Sequence, residues 1–189
     1  MVAHTLKVYL AFAKTLFLAT VSVAQESIQN DRSQSSITYV LAHRIHTVHG
    51  VSNQASSIVS LDRGTQEISA VKVTAPVKSF DSGNKTRDKD MLKVTEAAKY
   101  PEVVFQSSNI STHAKQLNVQ GQLTFHGVTK PVSFKAAQQQ KGKDIVIAGE
   151  LVINLEDYNI KRPSVFGMKV QNALPVRFYM VYPTNSAVP

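Results

Sequence analysis

The chain has 189 residues, 43% of them hydrophobic and 18% charged, with no cysteine, no tryptophan and a formal charge of +8 from 21 basic and 13 acidic side chains. That length suffices for one domain with a sizeable core. The missing thiols exclude a disulfide framework, a cysteine nucleophile, an iron–sulfur centre and Cys-ligated zinc. Lys and Arg are spread through every segment without a block of five like charges, which is the pattern of a solvated surface.

In chain order, Lys7 and Lys14 bracket the start of an apolar run, Thr15 to Val21, and Ser22-Val23-Ala24 places small residues before Gln25. This is the pattern of a secretory signal peptide over 1–24, cleaved after Ala24, and the run is about half of what a spanning helix needs. Removal leaves 19 basic and 13 acidic residues, a charge of +6, and predicts a periplasmic or secreted protein with no stable membrane anchor. Residues 25–36, QESIQNDRSQSS, hold one apolar side chain and read as a flexible leader. A single domain over 37–183 and a tail over 184–189 complete the division.

From residue 37 onward, strand-like runs alternate with Gly, Asn, Asp and Pro. Weaker strands are predicted over 37–48, 53–62, 68–76 and 103–108, and stronger ones over 117–126, 132–137, 144–155 and 174–182. Alternation along a strand puts Leu117, Val119, Leu123 and Phe125 on one face, then Val132 and Phe134, then Ile147, Leu151 and Ile153, then Val176, Phe178 and Met180. Gly127 and Pro131 bracket a hairpin with a longer loop, and Gly149 marks a bend or bulge. Only 87–100 breaks the period of two. Met91, Leu92, Val94, Ala97 and Ala98 fall nearer helical spacing there, with caps among 81–84 and Pro101 as the stop. Eight strands and one short helix favour an all-β, antiparallel barrel.

His43, His46 and His49 form an H-x-x-H-x-x-H run. On an extended strand the first two point to opposite faces, and His43 and His49 lie about 20 Å apart at ~3.3 Å per residue. Isolated histidines are therefore expected, a metal site only if the segment bends. Arg87-Asp88-Lys89-Asp90 suits a helix start, and neither Asp88 nor Asp157 is paired by spacing into an acid–base couple. The hydrolase elbow, the P-loop, the dinucleotide fingerprint and H-E-x-x-H are absent. No catalytic residue, cofactor or metal is expected. With Phe125, Phe134 and Phe178 in inward rows, neither is a nucleic-acid partner. The apolar rows either fill the barrel or enclose a chain-like lipid. Both readings stand on the residues alone.

The runs Phe80-Asp81-Ser82-Gly83-Asn84 with Arg87-Asp88, Lys99-Tyr100-Pro101-Glu102-Val103-Val104-Phe105, and Gly121-Gln122-Leu123-Thr124-Phe125-His126-Gly127-Val128-Thr129-Lys130-Pro131-Val132, followed by Asp157-Tyr158-Asn159-Ile160, resemble the YceI-like proteins in content and order. The resemblance spans 37–183. It implies an extended, lipocalin-like, eight-stranded barrel that accommodates a polyisoprenoid, an isoprenoid quinone or a fatty-acid-like lipid, typically in the bacterial periplasm. Ligand contacts are then expected from Val119, Leu123, Phe125, Val132, Phe134, Ile147, Leu151, Ile153, Val176, Phe178 and Met180, with Arg87 at the ligand's head. The segment Tyr39-Val40-Leu41-Ala42-His43 departs from the His-Ser opening and alternating Phe and Val of many members. The alternative function is an exported accessory protein with a filled barrel that acts through a protein partner. A homodimer is compatible with either.

Overall fold

The computed structural model describes residues 25–62, 64–165 and 167–184, so the expected signal peptide lies outside the described residues. The first element is β1 (Gln25–Gln29), in the segment expected to be a flexible leader. It pairs antiparallel with the later strand β4 (Ser56–Asp62), from Gln25 opposite Asp62 to Gln29 opposite Ile58. QESIQ conceals a strand because only Ile28 turns inward, while the ladder itself holds the segment. Asn30 is buried beyond it, its Nδ2 donating to Ala55 O (3.2 Å) and its Oδ1 accepting from Ser57 N–H (2.7 Å).

The single strand expected over 37–48 is a hairpin, β2 (Ser36–Ala42) and β3 (Thr47–Ser52). The chain reverses at Arg44-Ile45, with the His43 N–H donating to His46 O at 3.0 Å. No Gly, Pro, Asn or Asp marks this reversal, so the alternation reads straight through it. After β4 come β5 (Ile68–Pro76), α1 (Lys85–Val94), β6 (Glu102–His113), β7 (Gln116–Phe125), β8 (Val128–Lys141), β9 (Asp144–Asn154), a small hairpin of β10 (Ser164–Val165) with β11 (Met168–Lys169), and β12 (Ala173–Pro183).

The main sheet runs β1-β4-β5-β6-β7-β8-β9-β12-β2-β3, antiparallel throughout, and curls into a half-barrel. The expected class, an all-β antiparallel barrel with one short helix, is the class formed. Ten strands replace eight because the leader adds β1 and the first predicted strand is two. The edge strands are tied down without a continuous ladder. Past β1, the Asp31 N–H donates to Val181 O of β12 (2.8 Å), and on β3 Val51 exchanges a pair of backbone hydrogen bonds with Asp81.

Local chemistry explains the remaining boundaries. Asn84 caps α1, its Oδ1 accepting from the N–H groups of Thr86 (3.1 Å) and Arg87 (3.0 Å). The helix stops at Val94 rather than running to Tyr100, because Glu96 is left-handed (φ 45°) and the Ala97 N–H turns back to Leu92 O. The loop expected between Gly127 and Pro131 is a two-residue turn, with His126 (φ 50°) and Gly127 (φ 73°) both left-handed, as the twist of a hairpin prefers. Pro131 sits inside β8 opposite Gln122, in the stretch that has no β9 partner, where a missing N–H is tolerated. Gly149 lies in unbroken register with both neighbours, so no bulge occurs there.

Candidate functional site

The inward rows enclose a cavity of about 590 Å³ whose wall is almost wholly apolar. Each strand contributes alternate residues, because side chains facing one side recur every second position. Of the residues expected at a ligand site, Val119, Leu123 and Phe125 line it from β7 and Phe134 from β8. Ile147, Leu151 and Ile153 line it from β9, Val176, Phe178 and Met180 from β12, and Arg87 from α1. Val132 does not. β8 and β9 pair only from Lys135 opposite Glu150 onward, and where they diverge Val132, packed against the core, borders a second, mixed polar and apolar cleft between them.

Sequence reasoning missed the opposite wall. Ile37, Tyr39 and Leu41 of β2, Val71, Val73 and Ala75 of β5, Phe105 of β6, and Met91 and Val94 of α1 also face the cavity. In ISAVKVTAP the period of two over 71, 73 and 75 was the available signal.

Glycines explain why bulky rows leave space. Phe105 lies against Gly121 and Phe178 against Gly149, so close that a Cβ on either glycine would sit 2.5 Å from the Phe105 ring or 2.7 Å from Phe178 Cζ. Tyr39 lies on Gly50 in the same way. The rings of Phe105, Phe134 and Phe178 then pack in a row, Phe105 tilted on Phe134 (centroids 5.4 Å apart) and Phe134 edge to face with Phe178 (5.5 Å). All three line the cavity.

Polar groups collect in two places. Deep in the wall, Tyr182 and Ser57 share a hydroxyl hydrogen bond of 2.6 Å, and burial pushes the Tyr182 phenol up to about 12 while that bond pulls the other way. At the other place, Arg87 donates from Nε to Ser82 Oγ (2.9 Å) and from Nη2 to Ser82 O (2.7 Å). Ser82 Oγ in turn donates to Asp88 Oδ1 (2.6 Å), so the cation is oriented through a serine. Burial, with the Asp88 charge adding to it and Arg87 opposing it, raises the phenol of Tyr39 above its ordinary value.

His43 and His46 do not point to opposite faces as expected of one strand. The reversal at Arg44-Ile45 brings both to the cavity, with ring centroids 5.6 Å apart, while His49 is exposed on β3. His43 Nε2 meets Met168 O at 3.1 Å, which requires it to donate, and Nδ1 accepts from the Ile45 N–H (3.4 Å), so both ring nitrogens are committed. Among the described residues no three of His, Cys, Asp and Glu gather as metal ligands.

The chain matches the YceI-like domain over residues 29–182, the span of the curled sheet and the capped helix. The chain belongs to the YceI-like family. Among its YceI-like relatives, a UPF0312 protein of Pseudomonas putida strain F1 is 32% identical over 166 residues, covering 82% of this chain and 86% of the relative. Of solved structures, Burkholderia cenocepacia BcnA superposes with a TM-score of 0.73 at 23% identity, covering 80% of this chain and 98% of BcnA. A polyisoprenoid binding domain from Saccharophagus degradans, implicated in plant cell wall breakdown, gives 0.65 at 15% identity, covering 86% and 99%. These likenesses show the YceI-like fold.

Proposed function

We propose that the protein is an exported, non-catalytic carrier that holds a polyisoprenoid, isoprenoid quinone or fatty-acid-like chain in its cavity, with Arg87 meeting the head group. The observation that carries this reading is the cavity itself, about 590 Å³ of apolar space between rows that would otherwise touch. Burying one five-carbon isoprene unit contributes on the order of 4 kcal/mol at ~0.8 kcal/mol per carbon group, so a few units outweigh the ordering costs of binding. The wall offers such a chain apolar contact along its length and offers a head group the Arg87 guanidinium, whose Nη1 makes no hydrogen bond among the described residues. A barrel filled by its own side chains, acting only through a partner surface, is disfavoured by the same space.

The test is extraction of the protein, purified from the cells that make it, into organic solvent, followed by mass spectrometry. One lipid species in near-stoichiometric amount is the expected result. No lipid, together with no binding of a fluorescent polyene fatty acid to the apo-protein, would falsify the carrier reading. Signal cleavage after Ala24 and recovery outside the cytoplasm are the matching expectations for export, read by N-terminal sequencing of the mature chain.

A further inference from the structure

Four cavity-lining residues are exposed: His46 on the β2–β3 turn, Asn84 at the cap of α1, and Thr86 and Asp90 within that helix. The opening therefore lies between that turn and that helix. Beside His46 stands Ile45, 61% exposed, the most exposed large hydrophobic side chain among the described residues. One exposed isoleucine is ordinary on a soluble surface. Its setting is what differs. The turn that carries it is fixed from behind, by His43 Nε2 on Met168 O (3.1 Å) and by the Gln171 N–H on Ala42 O (2.9 Å), so Ile45 is held outward beside the opening.

The charge on its own side of the opening has one sign. Residues 38–47 and 158–172 carry Arg44, Lys161, Arg162 and Lys169 and no carboxylate. Arg162 is met by Glu156 at 2.8 Å. Across the opening, Asp81 is met by Lys85 (3.3 Å) and Asp90 by Lys93 (3.5 Å). Of the cations, Arg44, Lys89, Lys161 and Lys169 remain, all exposed and without an ion pair among the described residues, while the carboxylates of Asp88 and Asp157 accept from Ser82 Oγ (2.6 Å) and Asn154 Nδ2 (3.1 Å). An aliphatic tip on a rim that carries unpaired cations is complementary to an anionic lipid surface, where the cations meet phosphates and the tip enters the acyl boundary.

We propose that this rim rests reversibly on an anionic bilayer, Ile45 inserted and the four cations on lipid phosphates, so that the cavity opens directly onto the membrane. The inference builds on the carrier reading: a lipid passed through such a contact never exposes its chain to water. The test is flotation of the purified protein with vesicles of phosphatidylcholine alone and of phosphatidylcholine with phosphatidylglycerol. Each rim cation is worth about fivefold in association, so Arg44→Gln, Lys161→Gln and Lys169→Gln together are expected to weaken binding to the anionic vesicles on the order of a hundredfold. The matched control is Lys115→Gln, Lys141→Gln and Lys143→Gln, exposed positions in or beside the hairpin turns at the other end of the strands from His126 and Gly127, and it should bind nearly as wild type does. Ile45→Ser should weaken the salt-resistant part of binding. Equal losses from the two triple variants, or no preference for anionic vesicles, overturn the proposal. All variants share one background, so anything residues 1–24 contribute cancels. A polyene titration without vesicles separates the two readings. An unchanged titration in the rim triple variant supports both, while vesicle binding that survives in a protein with no polyene affinity overturns the carrier and leaves the docking rim supported.

Discussion

The buried hydroxyl pair at Tyr182 and Ser57 makes the alkaline stability of this protein calculable. Both residues are essentially inaccessible and their oxygens lie 2.6 Å apart. In Tyr182→Phe, Ser57 Oγ loses its partner while buried, which costs about 1–2 kcal/mol at neutral pH. At high pH the comparison reverses. The Tyr182 phenol titrates near 12 in the folded chain and near 10 in the unfolded one, so the stability it contributes is fully present below pH ~10 and lost as pH rises toward 12. At pH 12, where the folded phenol is half ionised, this shift has removed about 2 kcal/mol, which exceeds the hydrogen-bond loss over most of its range, so the phenylalanine variant should become the more stable protein by up to about 1 kcal/mol near pH 12. Urea unfolding followed by circular dichroism, at intervals from pH 8 upward, measures the difference. Tyr39 and Tyr158 are also raised by burial, but they occur in both proteins and cancel. With no cysteine, alkaline thiol chemistry does not intrude. A difference between variant and wild type that stays constant across this range would refute the reasoning, because it would mean the phenol ionises as freely folded as unfolded.

Other substitutions probe the helix, the turn and the cavity. Asn84→Ala removes both capping bonds and should cost about 1 kcal/mol in urea. Because no residue of α1 is fully buried, the loss should also appear as faster amide exchange confined to the first helical turn. Gly127→Ala forces a left-handed alanine (φ 73°) into the Tyr100 ring 2.5 Å away, whereas Gly83→Ala at φ 77° meets nothing within 4 Å. Both should destabilise by roughly 1 kcal/mol for the backbone, and the excess for Gly127→Ala measures the ring contact in the same unfolding assay. Ala136→Phe places a ring in the cavity from β8 and should displace two or three carbon groups of a bound chain, weakening a polyene about thirtyfold at ~0.8 kcal/mol per group. Unchanged binding with a destabilisation above about 3 kcal/mol would instead show that no free space exists there.

How far the sequence reaches depends on what each segment uses to hold its place. The strands β7, β9 and β12 bury one full face, so their alternation names the cavity wall residue by residue, from Val119 to Met180. β1 buries one side chain and is held by backbone pairing, which leaves no periodic trace in QESIQ. The reversal at Arg44-Ile45 uses no special turn residue, and it decides where His43 and His46 point. Val132 alternates correctly yet misses the cavity because β8 has parted from β9 at its level, and divergence between neighbouring strands is a tertiary fact that no local pattern records. The family motifs, by contrast, fall on the turns and caps: Asn84 caps α1, and His126-Gly127 makes a two-residue hairpin turn.

Whether the rows fill the barrel or line it turned on two residues that alternation treats as gaps. Gly121 and Gly149 interrupt the inward rows of β7 and β9, and in a filled barrel such gaps are closed by side chains reaching across the axis. Here they are closed from within the wall, by Phe105 from the adjacent strand β6 and Phe178 from the adjacent strand β12, each with the outer end of its ring over its neighbour's bare glycine. A ring that spends its volume on the strand beside it has none left for the lumen. Large residues in the inward rows are thus compatible with a hollow interior when each is set beside a glycine on the next strand. The pairing to look for is cross-strand: Phe105 stands two ladder positions from Gly121, opposite Leu123, and Phe178 stands directly opposite Gly149. Strand register converts those small positions from interruptions into seats, and with the rings seated the apolar rows enclose space that a lipid chain can take.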